Sequence, residues 1–195
     1  SFFTGIVQLK GNVIDLRYED LNISREESFE DTFKAMNCYL DGLIYRTTNH
    51  DKLIEASKYF DKPIINALSN ISHPCQIISD LFTLYQNFKS LDLEILWMGD
   101  MNNVLYSLIE ACEIFSSLKL TICTPKYLHD NFDINTSSNI TFKYKIADLD
   151  LSKFDCIMTD VFISMNDQSS ESKLENLRHY QVNSKIMNKT KDNCV

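Results

Sequence analysis

The sequence predicts an α/β fold, in two domains that each hold a mostly parallel sheet flanked by helices. Three observations carry this. Short apolar runs alternate with segments whose apolar residues recur three and four positions apart, the pattern left by successive βαβ units. Hydrophobic residues make up 44% of the chain and charged residues 24%, a globular balance that disfavours disorder and fibrous classes. The 195 residues are enough for one to two domains with a real core.

In chain order, the runs predicted as strands are Asn12 to Leu16, Gly42 to Arg46, Pro63 to Leu68, Leu93 to Gly99, Leu120 to Cys123, Ile140 to Tyr144 and Cys156 to Phe162. The segments of helical period between them are Phe29 to Leu40, Lys52 to Phe60, Cys75 to Phe88, Asn103 to Phe115 and a weaker one from Lys126 to Asn131. Ser28 and Asp31 fit a capping box, with Glu30 and Asp31 at the positive end of the helix. Pro74 fits a first helical turn, where its missing N–H removes no bond. In the helix it opens, Ile77, Ile78, Leu81, Leu84, Tyr85 and Phe88 predict a broad apolar face. Lys89-Ser90-Leu91-Asp92 is a polar break, which sets expected domains at residues 1–88 and 89–195. The polar stretches Asp133 to Asn139 and Asn166 to Ser172 are expected to be loops.

Lys and Arg total 19 against 27 for Asp and Glu, a formal net charge of −8, with no basic stripe of the kind nucleic acid requires. An anionic ligand must then be held by local groups. No apolar run reaches the length of a membrane helix, and the opening residues lack the basic flank of a signal peptide, so a soluble, cytoplasmic protein is expected. The six cysteines are widely spaced without a CxxC pair, which fits reduced thiols rather than a disulfide or zinc framework.

Ligands of open parallel sheets bind beyond the carboxyl ends of the strands, which singles out the polar residues that follow each run. These are Arg46, then His73 and Gln76 at the mouth of a helix, then Asp100, Asn102 and Asn103, and last Asp160, Ser164 and Met165. Each has an ordinary structural reading: a surface ion pair for Arg46, helix caps for His73, Asn102, Asn103 and Asp160, core filling for Met165. Their joint placement is what argues for a site. The Arg46 guanidinium and the helix N-terminus at His73-Pro74 suit a phosphorylated or carboxylated ligand. Asp160, with Asn103 and Ser164 as neutral hydrogen-bonding groups, suits an amine.

These residues resemble the ornithine carbamoyltransferases. The matching strings are Glu27-Ser28-Phe29-Glu30-Asp31-Thr32, Asp41-Gly42-Leu43-Ile44-Tyr45-Arg46, His73-Pro74-Cys75-Gln76-Ile77-Ile78-Ser79-Asp80-Leu81, Gly99-Asp100-Met101-Asn102-Asn103-Val104 with Ser107-Leu108, and Asp160-Val161-Phe162-Ile163-Ser164-Met165. HPxQ is shared with the aspartate carbamoyltransferases, whereas GDxNNV and D-V-x-x-S-M look like the ornithine branch. The resemblance implies carbamoyl phosphate on the first domain, with Arg46, His73 and Gln76 as catalytic contacts and Pro74 and Cys75 beside them. It implies ornithine on the second domain, held by Asn103, Asp160, Ser164 and Met165. It implies a homotrimer in which the loop from Leu21 to Glu26 completes a neighbouring site, with Asn22 nearest the Gln the family places there. No metal or organic cofactor is required.

Some family strings do not occur among these 195 residues: S-T-R-T-R, expected just before Ser1, and H-C-L-P, expected after Val195. The expectation is therefore an incomplete first domain and a chain truncated at both ends, binding carbamoyl phosphate weakly. Asn166 stands where the family has Gly. Two other classes stay open: a non-catalytic remnant of such an enzyme, and a Rossmann-like nucleotide or S-adenosylmethionine binder using Gly99, though no GxGxxG string is present.

Overall fold

The computed structural model describes residues 2–25, 27–130, 137–163 and 171–195. By contacts the chain divides into two compact units, residues 1–44 with 51–65, and residues 45–50 with 66–195. The α/β class is as the sequence predicts. β1 (Leu43–Arg46) and β2 (Ile64–Leu68) form a two-stranded sheet, and a four-stranded sheet has the order β5-β4-β3-β6. Its strands are β3 (Glu94–Met98), β4 (Lys119–Cys123), β5 (Ile140–Lys143) and β6 (Cys156–Met158). All three of its pairings are parallel. In the two-stranded sheet Leu43 N–H donates to the Pro63 carbonyl and Thr47 N–H to that of Leu68, so these strands also advance together.

In the first unit, α1 (Phe2–Gln8) buries none of its residues, while α2 (Phe29–Asn37) buries Thr32, Phe33 and Met36. Ser28 caps α2 as expected: its Oγ accepts from Asp31 N–H at 3.0 Å, which pairs one of the helix's orphan donors. Asn37 and Asp61 exchange two bonds of 3.1 Å each and tie the end of α2 to the turn before β2. The expected strand from Asn12 to Leu16 is not formed. Those residues carry no regular element, and Ile14 and Leu16 are exposed, because alternation makes a strand only where a neighbouring backbone supplies the ladder bonds. The sequence reading also missed α1, a helix with no buried face and hence no amphipathic signal.

The second unit is layered. Successive residues of β3 point to opposite faces, so Ile95 and Trp97 join one core and Leu96 and Met98 the other. The first core packs the sheet against α4 (Pro74–Phe88) and α5 (Asn103–Ile114) through Ile77, Leu81, Leu84, Leu105, Leu108 and Ile109. The second gathers Cys123, Leu151, Phe154 and Ile186. Of the broad apolar face predicted for α4, only part is buried: Ile78 and Tyr85 are 68% and 50% exposed, because a stripe that wide exceeds what one sheet covers. α3 (His50–Ala56) and α6 (Lys126–Asp130) lie within the predicted segments or start two residues early.

Several strands end sooner than predicted: β5 stops at Lys143 and β6 at Met158. The polar stretch after Asn166 gives way to α7 (Glu171–Leu177), followed by α8 (Ser184–Met187), neither of which has enough periodicity to be read in advance. Residues 133–136 and 166–170 of the expected loops lie outside the described residues. All six cysteines are free thiols, with Cys112, Cys123 and Cys156 buried and Cys38 exposed. Burial pushes the three buried thiols up to about 12, so they stay protonated and inert. Among the described residues no helix is long and apolar enough to cross a membrane.

Candidate active site

The second unit contains Arg46, His73, Gln76, Asn103 and Asp160. Arg46 is the exposed last residue of β1. Beyond β2 the chain makes a tight turn over Ser69 to Ser72 and enters α4. Ser69 is fully buried there, its Oγ accepting from Ser72 N–H at 3.1 Å and pairing with His50 Nδ1 at 2.8 Å. The turn is also held from α5. Asn103 Nδ2 donates to the Ser69 carbonyl at 2.7 Å, and buried Ser107 accepts the His73 N–H at 2.9 Å. His73 is thus fixed through its backbone, which leaves its ring for other work.

His73 is the N-cap of α4, but its ring does not cap the helix. Its Nδ1 is buried with no hydrogen-bond partner among the described residues. Burial, then the Arg46 charge, hold the imidazole below its ordinary value of 6.5, and Asp160 and Asp80 offset this in part. A neutral ring results near neutral pH, and the tautomer protonated at Nε2 leaves only a lone pair at the buried nitrogen. Arg46, Asp160 and Asp80 therefore all lie within electrostatic reach of His73. Gln76 follows on the same helix face and donates from Nε2 to Asp80 Oδ1 at 2.9 Å. Burial raises the Asp80 carboxyl, while the Gln76 bond and His73 lower it.

Two of the expected site residues already hold partners of their own. Cys75 turns its thiol inward to donate to the Asn66 carbonyl at 3.3 Å, so this residue has only its backbone N–H for an anion. Asn103 spends one amide N–H on Ser69, which leaves its second N–H and its carbonyl oxygen for other partners. Pro74 occupies the first position of α4.

The β3–α5 turn supplies the rest. Asn102 divides its carboxamide: Oδ1 accepts from Val104 and Leu105 N–H at 3.1 Å each, capping α5, while Nδ2 donates to Asp160 Oδ2 at 2.8 Å. One side chain thus anchors the helix and aims the carboxylate. Asp100 is buried and pairs with Lys173 at 2.7 Å, and its carbonyl accepts the Trp97 indole N–H at 2.8 Å. Gly99 has φ of +129°, and a Cβ there would come within 2.9 Å of the Phe162 ring, so only glycine fits this turn.

Asn22 is exposed on a short 3-10 turn, Asn22–Arg25, in the first unit. Ser164 and Met165 lie outside the described residues. The sequence reading assigned no part in the site to Asp80, Ser107, Ser69 or His50. Asp80 was within reach of it, since positions 73, 76 and 80 share one helical face. Ser107, four residues after Asn103, was equally so. The His50–Ser69 contact had no signal, because nothing local links residues nineteen apart.

Comparison with known proteins places this geometry. Residues 1–86 match the carbamoyl-P binding domain of aspartate/ornithine carbamoyltransferase, and residues 91–195 match the Asp/Orn binding domain. An ornithine carbamoyltransferase from Methanocorpusculum labreanum is 36% identical over 201 aligned positions, covering 100% of this chain and 66% of that protein. The crystal structure of ornithine carbamoyltransferase from Thermus thermophilus superposes with a TM-score of 0.83 at 27% identity, over 100% of this chain and 65% of that one. Aspartate transcarbamoylase from Trypanosoma cruzi, in complex with carbamoyl phosphate, shares the fold at a TM-score of 0.79 and 19% identity, over 100% and 66% of the two chains. This chain thus spans about two-thirds of the length of these relatives. Matched along nearly its whole length by the two domain models in their order, it belongs to the aspartate/ornithine carbamoyltransferase family.

Proposed function

We propose that this chain carries the carbamoyl-phosphate and ornithine sites of a carbamoyltransferase that makes citrulline and phosphate, as in arginine biosynthesis. The observation that carries the reading is the neutral His73 ring within electrostatic reach of the Arg46 guanidinium and the Asp160 carboxylate. The uncharged δ-amine of ornithine attacks the carbamoyl carbon, the bond from that carbon to the bridging oxygen breaks, and phosphate leaves with the electron pair. The amine's surplus proton passes to phosphate or solvent. Arg46 and His73 donate to the carbonyl oxygen as charge builds on it, and Gln76 orients the carbamoyl nitrogen. The Cys75 backbone N–H at the start of α4 holds the phosphate, with the helix dipole in support.

Asp160, aimed by Asn102, pairs with the α-ammonium group of ornithine. An alkyl amine has a pKa near about 10, so a single carboxylate spent on the α-ammonium leaves the δ-amine free to shed its proton. The same carboxylate would repel the side-chain carboxylate of aspartate, which favours ornithine as acceptor. The proposed domains are residues 1–88 and 89–195, with Ser164 and Met165 completing the amine site and Asn22 serving a neighbouring subunit of a cytoplasmic homotrimer.

The test is a two-acceptor assay with carbamoyl phosphate, read for citrulline and for carbamoyl-aspartate, alongside ligand-induced shifts of the His73 and Gln76 side-chain resonances. Citrulline alone, with saturable shifts at both residues, is expected. Carbamoyl-aspartate as the product, or no shift with carbamoyl phosphate, would refute the reading. A second reading is a fold that holds ligand without turnover. It is favoured by the few donors at the start of α4, where the His73 N–H is spent on Ser107 and the Cys75 thiol on Asn66. Saturable shifts with no product identify it.

A further inference from the structure

Gln76 is a candidate side chain whose orientation carries chemical information, because a carboxamide has a donor end and an acceptor end. One N–H of its donor end is already engaged, Nε2 bonding Asp80 Oδ1 at 2.9 Å. An ionised carboxylate only accepts, so turning the amide over would set oxygen against oxygen. We infer that Asp80 is a positioning residue that locks the Gln76 amide with Oε1 facing the ligand, so that the site selects an acyl phosphate bearing an amino group on its carbonyl carbon over one bearing a methyl group. The inference rests on the functional reading above, in which Gln76 meets the carbamoyl group.

The pair is an exposed contact between residues four apart, and what gives it a task is its place on the helix. Positions 73, 76 and 80 lie on one face of α4, so the carboxylate stands behind Gln76 and on the His73 side of the helix. Asp80 is coupled to both His73 and Asp160, which places it among the site's charges rather than in open solvent. Burial opposes its ionisation, so a carboxylate here is costly. A neutral residue would avoid that cost but would lose control of the amide, since Asn, Ser or Thr accepts and donates alike.

The experiment uses the full chain as wild type, Asp80→Asn, and the exchange Gln76→Glu with Asp80→Asn, which keeps the net charge and restores an acceptor at position 76. Two readouts are taken: the pH response of the Gln76 side-chain NH2 resonances without ligand, and the ratio of apparent affinities for carbamoyl phosphate and acetyl phosphate. In wild type the NH2 resonances should follow a carboxyl titration that is missing from Asp80→Asn. The affinity ratio should fall about tenfold in Asp80→Asn, the size of one hydrogen bond, and recover in the exchange variant. An unchanged ratio in folded Asp80→Asn overturns the inference, as does an NH2 signal that ignores the titration in a chain that binds carbamoyl phosphate. A wild-type chain whose NH2 signal titrates but which binds neither phosphate instead overturns the functional reading and leaves the amide lock standing.

Discussion

His73 and Asn102 show how much a single side chain decides here. Because burial and Arg46 lower the His73 pKa, the unfolded chain binds a proton near its ordinary value of 6.5 that the folded chain resists. The sign follows from linkage: this contribution to stability is complete above 6.5 and is lost as pH falls through the lowered folded value. His73→Gln should therefore flatten the fall in melting temperature below 6.5 relative to wild type, and an identical slope in both proteins would contradict the neutral ring. Asp80 works in the opposite sense. Its raised carboxyl makes the folded state the better proton binder, so its contribution is present below the ordinary value of 3.8 and lost as pH rises through the folded value. Asp80→Asn should then gain stability at neutral pH, as measured by denaturant titration. For Asn102 two substitutions separate its two tasks. Asn102→Ala should cost about 1 kcal/mol or more as a lost cap. Asn102→Asp keeps the cap but sets a second carboxylate beside Asp160, so stability should hold better than in the alanine variant while ornithine binding suffers.

At the scale of elements, the turns after the strands are where sequence and structure agree best and where change should be least tolerated. The Ser28 cap of α2 was legible because a cap is a local contact three residues long. Ser28→Ala should lower stability by about 1 kcal/mol, read as a shift in denaturation midpoint at unchanged slope. Gly99 has no such latitude. Its φ of +129° and the 2.9 Å approach of Phe162 mean that Gly99→Ala should cost about 1–3 kcal/mol and displace the Asn102 cap that follows. A crystal structure of that variant with the turn unmoved would contradict the account. The misread elements failed for one shared reason. The run from Asn12 to Leu16 alternates like a strand, and α1 shows no buried stripe, yet the first lacks a ladder partner and the second still forms a helix. Local pattern proposes an element, and the presence or absence of a neighbour disposes of it.

For the whole molecule, the four-stranded parallel sheet brings together the groups that follow β3 and β6, as the bond from Asn102 to Asp160 records. Parallel strands end on the same side, so these groups meet despite lying 58 residues apart in sequence, while Arg46 and His73 follow the strands of the separate two-stranded sheet. The sheet's rigidity depends on its two cores, and Leu108, fully buried against β3 and β4, is a fair probe of it. Leu108→Ala should cost about 2–5 kcal/mol, with the Asn139 bonds to Cys112 and Leu118 close enough to be weakened as well. By itself the sequence determined the α/β class, most strand and helix positions, the Ser28 cap, the helix start at Pro74, and which polar residues follow the strands. These are matters of local period and spacing, written into neighbouring residues. Only the tertiary structure decided which end of each amide is spent, that Cys75 faces inward, that Asn103 and Ser107 hold the turn before His73, and that Asp80 stands behind Gln76. Those outcomes depend on distances between segments far apart in the chain, and on burial that removes water as the alternative partner, and neither quantity is encoded in any short stretch of residues.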